Sequence, residues 1–204
     1  MSILTKTEKT TLSFYDKVAI NYHRDRPPGA KTFWRKDLNT FHKLLPSGRI
    51  LEIGVGGGRE AAELIKFGYD YTGVEPSKGL LDEVKKEKLK GEFLNFSVYN
   101  LSFPNKNFDG FWTCATLIHM PKKRIKEALE NIKLVIKPGG IGFISLKKGV
   151  GESFDKPGER FFAYYTKKEF IEILNDVNIK VIEAHKRNQK SRNLDWLTFF
   201  VKII

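Results

Sequence analysis

The stretch that decides the fold is RILEIGVGGG, residues 49–58, followed by a helical pattern over residues 59–67. The apolar run predicts a short β-strand over 49–53, and four of the five residues that follow it are glycine. Glycine lets the backbone turn sharply and approach a ligand closely with its N–H groups available. The stretch therefore predicts a strand, a glycine loop and a helix, with a ligand site at the loop.

Strand and helix patterns alternate on the C-terminal side of this loop. Further strands are predicted at residues 69–75, 92–98, 108–114, 141–146, 179–184 and 194–204. Helices are predicted at residues 77–89, 121–136 and from 166 to about 176. This alternation is typical of an α/β fold, here a seven-stranded, mostly parallel sheet with helices on both faces. The last two strands are joined by the short polar segment 185–193, which predicts that the last strand is antiparallel.

The residues before the first strand form a helical extension, residues 1–47. Helical spacing predicts one helix over 12–22 and a second over about 32–45, separated by Pro27-Pro28-Gly29. Between the fifth strand and the last helix, residues 148–165 are polar and aromatic, and we interpret them as a candidate substrate lid. The whole chain, residues 1–204, is expected to be one domain.

Composition excludes several classes of protein. The chain has 204 residues, 41% of them hydrophobic, which is too many for a disordered chain. Its single cysteine, Cys114, excludes a disulfide scaffold and a multi-cysteine metal site, so no metal is expected. No apolar run approaches the 18 residues of a membrane span, and no secretory h-region opens the chain. We therefore expect a cytoplasmic protein without membrane contact.

Two acidic residues indicate which ligand the glycine loop takes. A dinucleotide fingerprint starting at Gly54 would need a small residue where Arg59 stands. Glu52, just before the first glycine, would repel a pyrophosphate and attract a cation. Glu75, at the end of the next strand, can accept hydrogen bonds from a ribose diol. A cationic centre together with a ribose favours S-adenosylmethionine (SAM), which carries a sulfonium, an ammonium and an adenosine.

With these residues the chain resembles the class I, Rossmann-like SAM-dependent methyltransferases. The resemblance is carried by the segments 52–58, 73–77, 108–119 and 134–140, in that order. Segments 160–165 and 195–197 are similar to small-molecule-type bacterial members. The resemblance implies transfer of the SAM methyl group to an oxygen, nitrogen or sulfur atom of a small-molecule acceptor, with release of S-adenosylhomocysteine (SAH).

The resemblance also implies roles for individual residues. The residues expected to bind the cofactor are Glu52, Gly54, Gly56, Gly58, Glu75, Pro76, Ser97 and Val98. Glu52 would orient the loop, Glu75 would hold the ribose hydroxyls, and Pro76 would line the adenine pocket. Ser97 stands where the family usually has aspartate, so it would accept one hydrogen bond from adenine without charge.

Five further residues are candidates for the part of the site that binds the methyl acceptor. His119 follows the fourth strand and Tyr164 lies in the candidate lid, and we take both as candidate catalytic bases. Tyr22, Arg160 and Tyr165 are the candidate contacts to the acceptor. A structural role remains open for each of them. His119 can cap a helix or pack in the core, and Arg160 can pair with a neighbouring acid.

The net charge of +12 keeps other functions open. Residues 51–100 hold seven basic and nine acidic residues, so the excess positive charge lies outside the cofactor motifs. The basic segment 185–192 is the best candidate for nucleic-acid contact, which makes an RNA or tRNA methyltransferase the alternative. A SAM-binding module without catalysis is a second alternative.

Overall fold

A seven-stranded sheet forms the centre of the computed structural model, which describes residues 4–156 and 158–204. The strands of the chain are β1 (Arg49–Ile53), β2 (Asp70–Val74), β3 (Glu92–Leu94), β4 (Phe108–Cys114), β5 (Ile136–Lys147), β6 (Glu152–Phe154), β7 (Phe161–Ala163), β8 (Ile179–Gln189) and β9 (Leu194–Ile203). The order across the sheet is β3-β2-β1-β4-β5-β9-β8. Strands β1 to β5 pair in parallel and β9 pairs antiparallel with both β5 and β8, which confirms the predicted sheet.

Six α-helices accompany the sheet in the described residues. They are α1 (Lys6–Asp25), α2 (Arg35–Leu44), α3 (Arg59–Lys66), α4 (Lys78–Lys86), α5 (Ile125–Val135) and α6 (Lys167–Asp176). None of the helices in the described part of the chain combines the length and apolarity needed to cross a bilayer.

The core lies between the sheet and these helices and is rich in aromatic residues. Trp112 on β4 stacks on Phe143, its register partner on β5, with 3.9 Å between ring centroids. Phe41 of α2 meets the Trp112 ring edge-on at 5.5 Å. These three side chains are fully buried, and each contributes roughly 1.5–3 kcal/mol by leaving water. Strands β4 and β5 and helix α2 are therefore packed together at the centre of the core.

Three predicted strand boundaries were wrong by several residues. The fifth strand begins at Ile136, not at residue 141. The third strand ends at Leu94, not at residue 98, because the chain turns there toward the ligand cavity described below. The joint 185–193 was expected to be irregular, but residues 185–189 continue β8. This strand lies at the sheet edge, where charged side chains stay solvated. Lys186, for example, pairs across the ladder with Asp195 at 2.8 Å.

The N-terminal extension contains the two predicted helices, and the first is longer than expected. Helix α1 begins six residues earlier than predicted, because Thr5 and Glu8 form a capping box at its start. Residues 1–3 lie outside the described residues. Helix α1 packs chiefly along α4 and also touches β7. The extension therefore reaches across the carboxyl ends of the strands.

The candidate lid segment forms a short hairpin of β6 and β7, with residue 157 outside the described part. The hairpin is fixed to α1, since the Phe161 N–H donates to Thr11 Oγ1 at 3.0 Å. Helix α1 and the hairpin thus meet above the end of β4. They form the roof of the region where a ligand is expected.

A buried ion pair fastens α1 to the rest of the chain. Arg124 Nη1 donates to Glu8 Oε2 at 2.7 Å, and both residues are at least nine-tenths buried. The same guanidinium lies 3.7 Å from the centroid of the Tyr99 ring. Arg124 also pairs with Glu127 at 2.9 Å, but the Glu127 side chain is 40% exposed.

We expect Glu8→Ala to lower the free energy of unfolding by about 3 kcal/mol, because it leaves a buried guanidinium without its buried partner and also removes the capping box of α1. The control Glu127→Ala removes a half-exposed partner of the same guanidinium and should cost about 1 kcal/mol or less. Urea denaturation of both variants measures the difference. Equal losses would show that burial of the Glu8 pair does not anchor α1.

Candidate functional site

A cavity of ≈ 880 Å³, including its open mouth, lies at the carboxyl ends of β1, β2 and β4, beneath α1. Its lining comes from α1, the glycine loop and the segments that follow β2, β3 and β4, and includes Tyr15, Tyr22, Gly54, Gly56, Glu75, Pro76, Phe96, Ser97, Val98, Cys114, Thr116 and His119. Most of the predicted cofactor residues therefore meet in one cavity.

The glycines of the loop serve two different purposes. Gly54 has φ +81°, and a Cβ built on it would lie 2.1 Å from Thr116 Oγ1, so no side chain fits there. Gly56 lines the cavity and donates its N–H to Glu75 Oε2 at 2.9 Å. Gly58 does not line the cavity but begins α3, where a Cβ would lie 2.5 Å from Val84 Cγ2. Gly54 and Gly56 line the cavity, whereas Gly58 caps the start of α3.

Glu75 is the central acid of the cavity. Its Oε1 accepts the N–H of Ser77 and its Oε2 the N–H of Gly56, both at 2.9 Å. Burial raises the pKa of Glu75 to about 7, against the opposing effect of these two hydrogen bonds. Each oxygen keeps a further lone pair, so the carboxylate can still accept a pair of hydroxyl groups.

Glu52 lies below the cavity and does not line it. Its carboxyl group is buried and accepts a hydrogen bond from the Tyr71 hydroxyl at 2.5 Å. Burial raises the pKa of Glu52 well above its ordinary value. The geometry places this acid where it supports β1 and β2, and direct contact with a cofactor stays a prediction.

One end of the cavity suits a flat, apolar ring. Pro76, Leu80, Phe96 and Val98 supply apolar walls, and Ser97 supplies a hydroxyl. Ser97 Oγ already accepts the Tyr99 N–H at 3.2 Å, so its hydrogen is free to be donated. Glycine loop, buried acid and apolar slot together fit an adenosine with an amino-acid tail, as SAM requires.

A tyrosine–histidine pair faces the same cavity. His119 Nδ1 lies 2.7 Å from the Phe161 carbonyl oxygen, and because a carbonyl only accepts, Nδ1 carries the hydrogen. His119 Nε2 lies 2.9 Å from the Tyr15 hydroxyl and therefore accepts from it. Burial lowers the pKa of His119 to about 4, so the imidazole is neutral at physiological pH. The pair is a pre-oriented, uncharged proton acceptor.

Of the residues expected to contact the acceptor, only Tyr22 is brought into the cavity. Arg160 pairs with Asp155 at 2.6 Å, so it takes the structural role of pairing with a neighbouring acid. Tyr164 packs over Gly149 and does not line the cavity, since the β6–β7 hairpin directs it elsewhere. Tyr165 is fully buried against Phe170, at 5.1 Å between ring centroids.

Sequence reasoning missed how much of the cavity α1 supplies. Its lining residues Glu8, Thr11, Leu12, Tyr15 and Tyr22 recur at three- and four-residue steps, so they occupy one helical face. That periodicity is present in the sequence, but it equally describes a helix that packs on a core. Only the position of α1 over the strand ends distinguishes the two.

The basic segment 185–192 is paired with acids within the chain at three of its positions. His185 pairs with Glu183, Lys186 with Asp195, and Arg187 with the buried Asp37. These partners compete with any phosphate for the same cations. Nothing in these contacts favours nucleic acid over a small molecule.

Neither a reactive thiol nor a metal site is found at the cavity among the described residues. Cys114 lines the cavity, but burial raises the pKa of its thiol well above the ordinary value, so it remains protonated. Within residues 4–156 and 158–204, no cluster of three His, Cys, Asp or Glu side chains could hold a metal ion.

Comparison with known proteins agrees with this geometry. Residues 50–140 match a methyltransferase domain. An uncharacterized protein of Methanocaldococcus jannaschii is 30% identical, with 85% of this chain and 84% of that protein covered. The 2-methyl-6-phytyl-1,4-hydroquinone methyltransferase of Synechocystis is 31% identical over 66% of this chain, which spans 46% of that protein's length.

Among solved structures, the chain is similar to a methyltransferase of Burkholderia thailandensis. That enzyme is the 1,6-didemethyltoxoflavin-N1-methyltransferase, solved with 1,6-didemethyltoxoflavin and SAH bound. The TM-score is 0.78 at 19% identity, with 100% of this chain and 92% of that chain covered. At this identity the likeness shows that the fold is shared.

The buried neutral imidazole of His119 should make stability depend on pH. Its pKa in the folded chain, about 4, lies below the value of about 6.5 in an unfolded chain. Between these values the unfolded state binds a proton that the folded state does not, so stability falls as the pH falls from 6.5 to 4. Above pH 6.5 the effect is absent.

We expect the stability of the wild type relative to His119→Asn to fall by up to about 1.4 kcal/mol per pH unit in this window. Urea denaturation of both proteins at several pH values from 4.5 to 8 measures it. The variant serves as the reference for all other titrating groups, Glu75 included. A stability difference that does not change with pH would contradict a neutral, buried His119.

Proposed function

The chain belongs to the class I SAM-dependent methyltransferases, and we propose that it methylates an oxygen, nitrogen or sulfur atom of a small-molecule acceptor, releasing SAH. The observation that supports this most is that Glu75 and the Tyr15–His119 pair line one cavity. A cofactor site and a proton-accepting pair in one enclosed space are what methyl transfer to a neutral acceptor needs. Relatives named for a hydroquinone and for didemethyltoxoflavin support a small-molecule acceptor.

When bound, SAM supplies a methyl group already activated by its sulfonium. What remains for the protein is to align the acceptor and to exclude water. Glu75 would accept the two ribose hydroxyls, while Pro76 and Val98 would enclose the adenine. Gly54 and Gly56 would let the backbone approach the methionine part closely. Helix α1 and the β6–β7 hairpin would close the site against solvent.

The Tyr15–His119 pair would take the proton of a neutral acceptor. An O–H or N–H group becomes strongly acidic as its heteroatom gains a methyl group. Tyr15 Oη would accept that proton while passing its own to His119 Nε2, along their 2.9 Å hydrogen bond. Because the pKa of His119 is low, the pair accepts a proton only as methylation proceeds and does not ionise the acceptor beforehand.

The two alternatives make different predictions. An RNA methyltransferase would need phosphate contacts, yet Lys186 and Arg187 of the 185–192 segment are already paired with acids. In a binding module without catalysis, the Tyr15–His119 pair would have no proton to accept. A cytoplasmic location, expected from the sequence, stays a prediction.

We expect Glu75→Gln to weaken SAH binding by about 10- to 100-fold, because it removes a charge-assisted acceptor of the ribose hydroxyls. Glu52→Gln, the matched control, should weaken it much less, since Glu52 lies outside the cavity. Isothermal calorimetry with SAH measures both. Wild-type affinity should also fall below pH 7, where Glu75 takes up a proton, and the Glu75→Gln affinity should not.

A folded wild-type protein that binds neither SAM nor SAH would contradict the proposed function. Equal losses in the two variants would instead contradict the assignment of Glu75 to the ribose. Incubation with methyl-labelled SAM and a panel of phenols, heteroaromatic amines and thiols then distinguishes an enzyme from a binding module.

We expect Tyr15→Phe to lower kcat for neutral acceptors by about 100-fold, the low end of general-base catalysis, with SAH affinity little changed. Tyr164→Phe, at the other candidate base, is the control and should keep most of the rate, because Tyr164 does not line the cavity. Methyl transfer measured under saturating SAM reports both. Identical rates for wild type and Tyr15→Phe would show that Tyr15 handles no proton.

A further inference from the structure

A second cavity, ≈ 700 Å³ including its open mouth, adjoins the first on the other side of the glycine loop. The two share Tyr22, Gly54, Gly56, Cys114 and Ala115, so a molecule in the second cavity can reach the first. The walls that belong to the second cavity alone include Arg26, Trp34, Arg59, Gln189, Arg192 and Trp196.

The charges of this cavity are unbalanced. Glu60 is its one lining acid among the described residues, and it already accepts from Arg59 at 2.8 Å and from the Thr32 hydroxyl. Arg26 and Arg192 have no carboxylate partner within ion-pair distance in the described chain. Burial and then the neighbouring Arg26 lower the pKa of Arg192. Arg26 is half-buried, with its guanidinium 4.1 Å from the centroid of the Tyr22 ring, and Arg192 is exposed at the open side of the cavity. Both cations therefore face the cavity without a carboxylate partner among the described residues.

Gln189 adds a further hydrogen-bond donor to the cavity. Gln189 Oε1 accepts the indole N–H of Trp196 at 3.0 Å, which directs the amide nitrogen away from Trp196. This leaves the Gln189 NH₂ as a hydrogen-bond donor without a partner in the described residues. Two guanidinium groups and an amide NH₂ match a group that only accepts, namely a carboxylate or a phosphate.

The rest of the wall is aromatic. Trp34 and Trp196 meet edge to face with 5.2 Å between ring centroids, and each is at least 95% buried. Such a surface favours a flat, apolar body beside the charged group. These walls come from before residue 50 and after residue 140, outside the segment that matches the methyltransferase domain. They belong to the parts of the chain that are free to specify an acceptor.

We propose that the second cavity binds the acid group of the methyl acceptor, a planar small molecule with a carboxylate or phosphate, through Arg26 and Arg192. This assignment rests on the proposed function, since it names the substrate class of that activity. The reacting atom then lies toward the shared residues Ala115 and Gly54, and the acid lies at the outer mouth. The carboxylate of the cofactor itself is the other source of the same chemistry, and the experiment separates the two.

The test is calorimetry on the full chain saturated with SAH, with benzoate and phenyl phosphate as anionic probes and benzamide as the neutral probe. The acids should bind more tightly than benzamide, and added salt should weaken them. Arg192→Gln and Arg26→Gln should each weaken the acids by about 10- to 100-fold and leave the Kd for SAH unchanged. Lys190→Gln, an exposed neighbour with the same loss of charge, is the control and should change neither.

Equal affinity for benzamide and the acids overturns the proposal, as does an Arg192→Gln variant that matches Lys190→Gln. Arginine variants that weaken SAH and not the acids would assign the cavity to the cofactor carboxylate and also overturn it. In both cases SAH binding to the wild type leaves the proposed function standing. A folded wild type that binds no SAH overturns the proposed function and this assignment with it.

Discussion

The bridge made by the Glu75 carboxylate is the interaction on which the site depends. Its two oxygens bind the N–H groups of Gly56 and Ser77, and so join the loop after β1 to the start of α4 after β2. Ser77 in turn caps α4, and its hydroxyl donates to Asp16 of α1. One buried acid thereby fixes the glycine loop, a helix start and, through Ser77, the helix that covers the cavity.

Burial makes this arrangement responsive to its ligand. A carboxylate with only two hydrogen bonds is incompletely compensated in the interior, which is why its pKa rises to about 7. Two hydroxyl donors would complete its coordination and stabilise the charged form. His119 carries the opposite perturbation, since burial keeps it neutral. The cavity thus holds an acid and a base whose charge states are set by burial, as is common at active sites.

How much of this was predictable from the sequence differs between the two halves of the site. The cofactor half is local: Gly54, Gly56 and Glu75 sit at strand ends, and the parallel sheet brings strand ends together. The acceptor half depends on long-range packing, which residue type and spacing do not encode. Tyr165 and Arg160 looked like lid residues, yet the first is buried against Phe170 of α6 and the second is paired with Asp155. The Tyr15–His119 contact spans 104 residues of sequence and follows only from the seating of α1.

In the proposed arrangement, one cavity holds the cofactor against Glu75 and presents its reactive end to Tyr15 and His119. A crystal structure of the chain with SAH bound would show this arrangement. Both ribose hydroxyls should lie within about 2.6–3.2 Å of the Glu75 oxygens, with the sulfur atom on the Tyr15 side of the glycine loop. SAH bound elsewhere, or with its ribose away from Glu75, would contradict it.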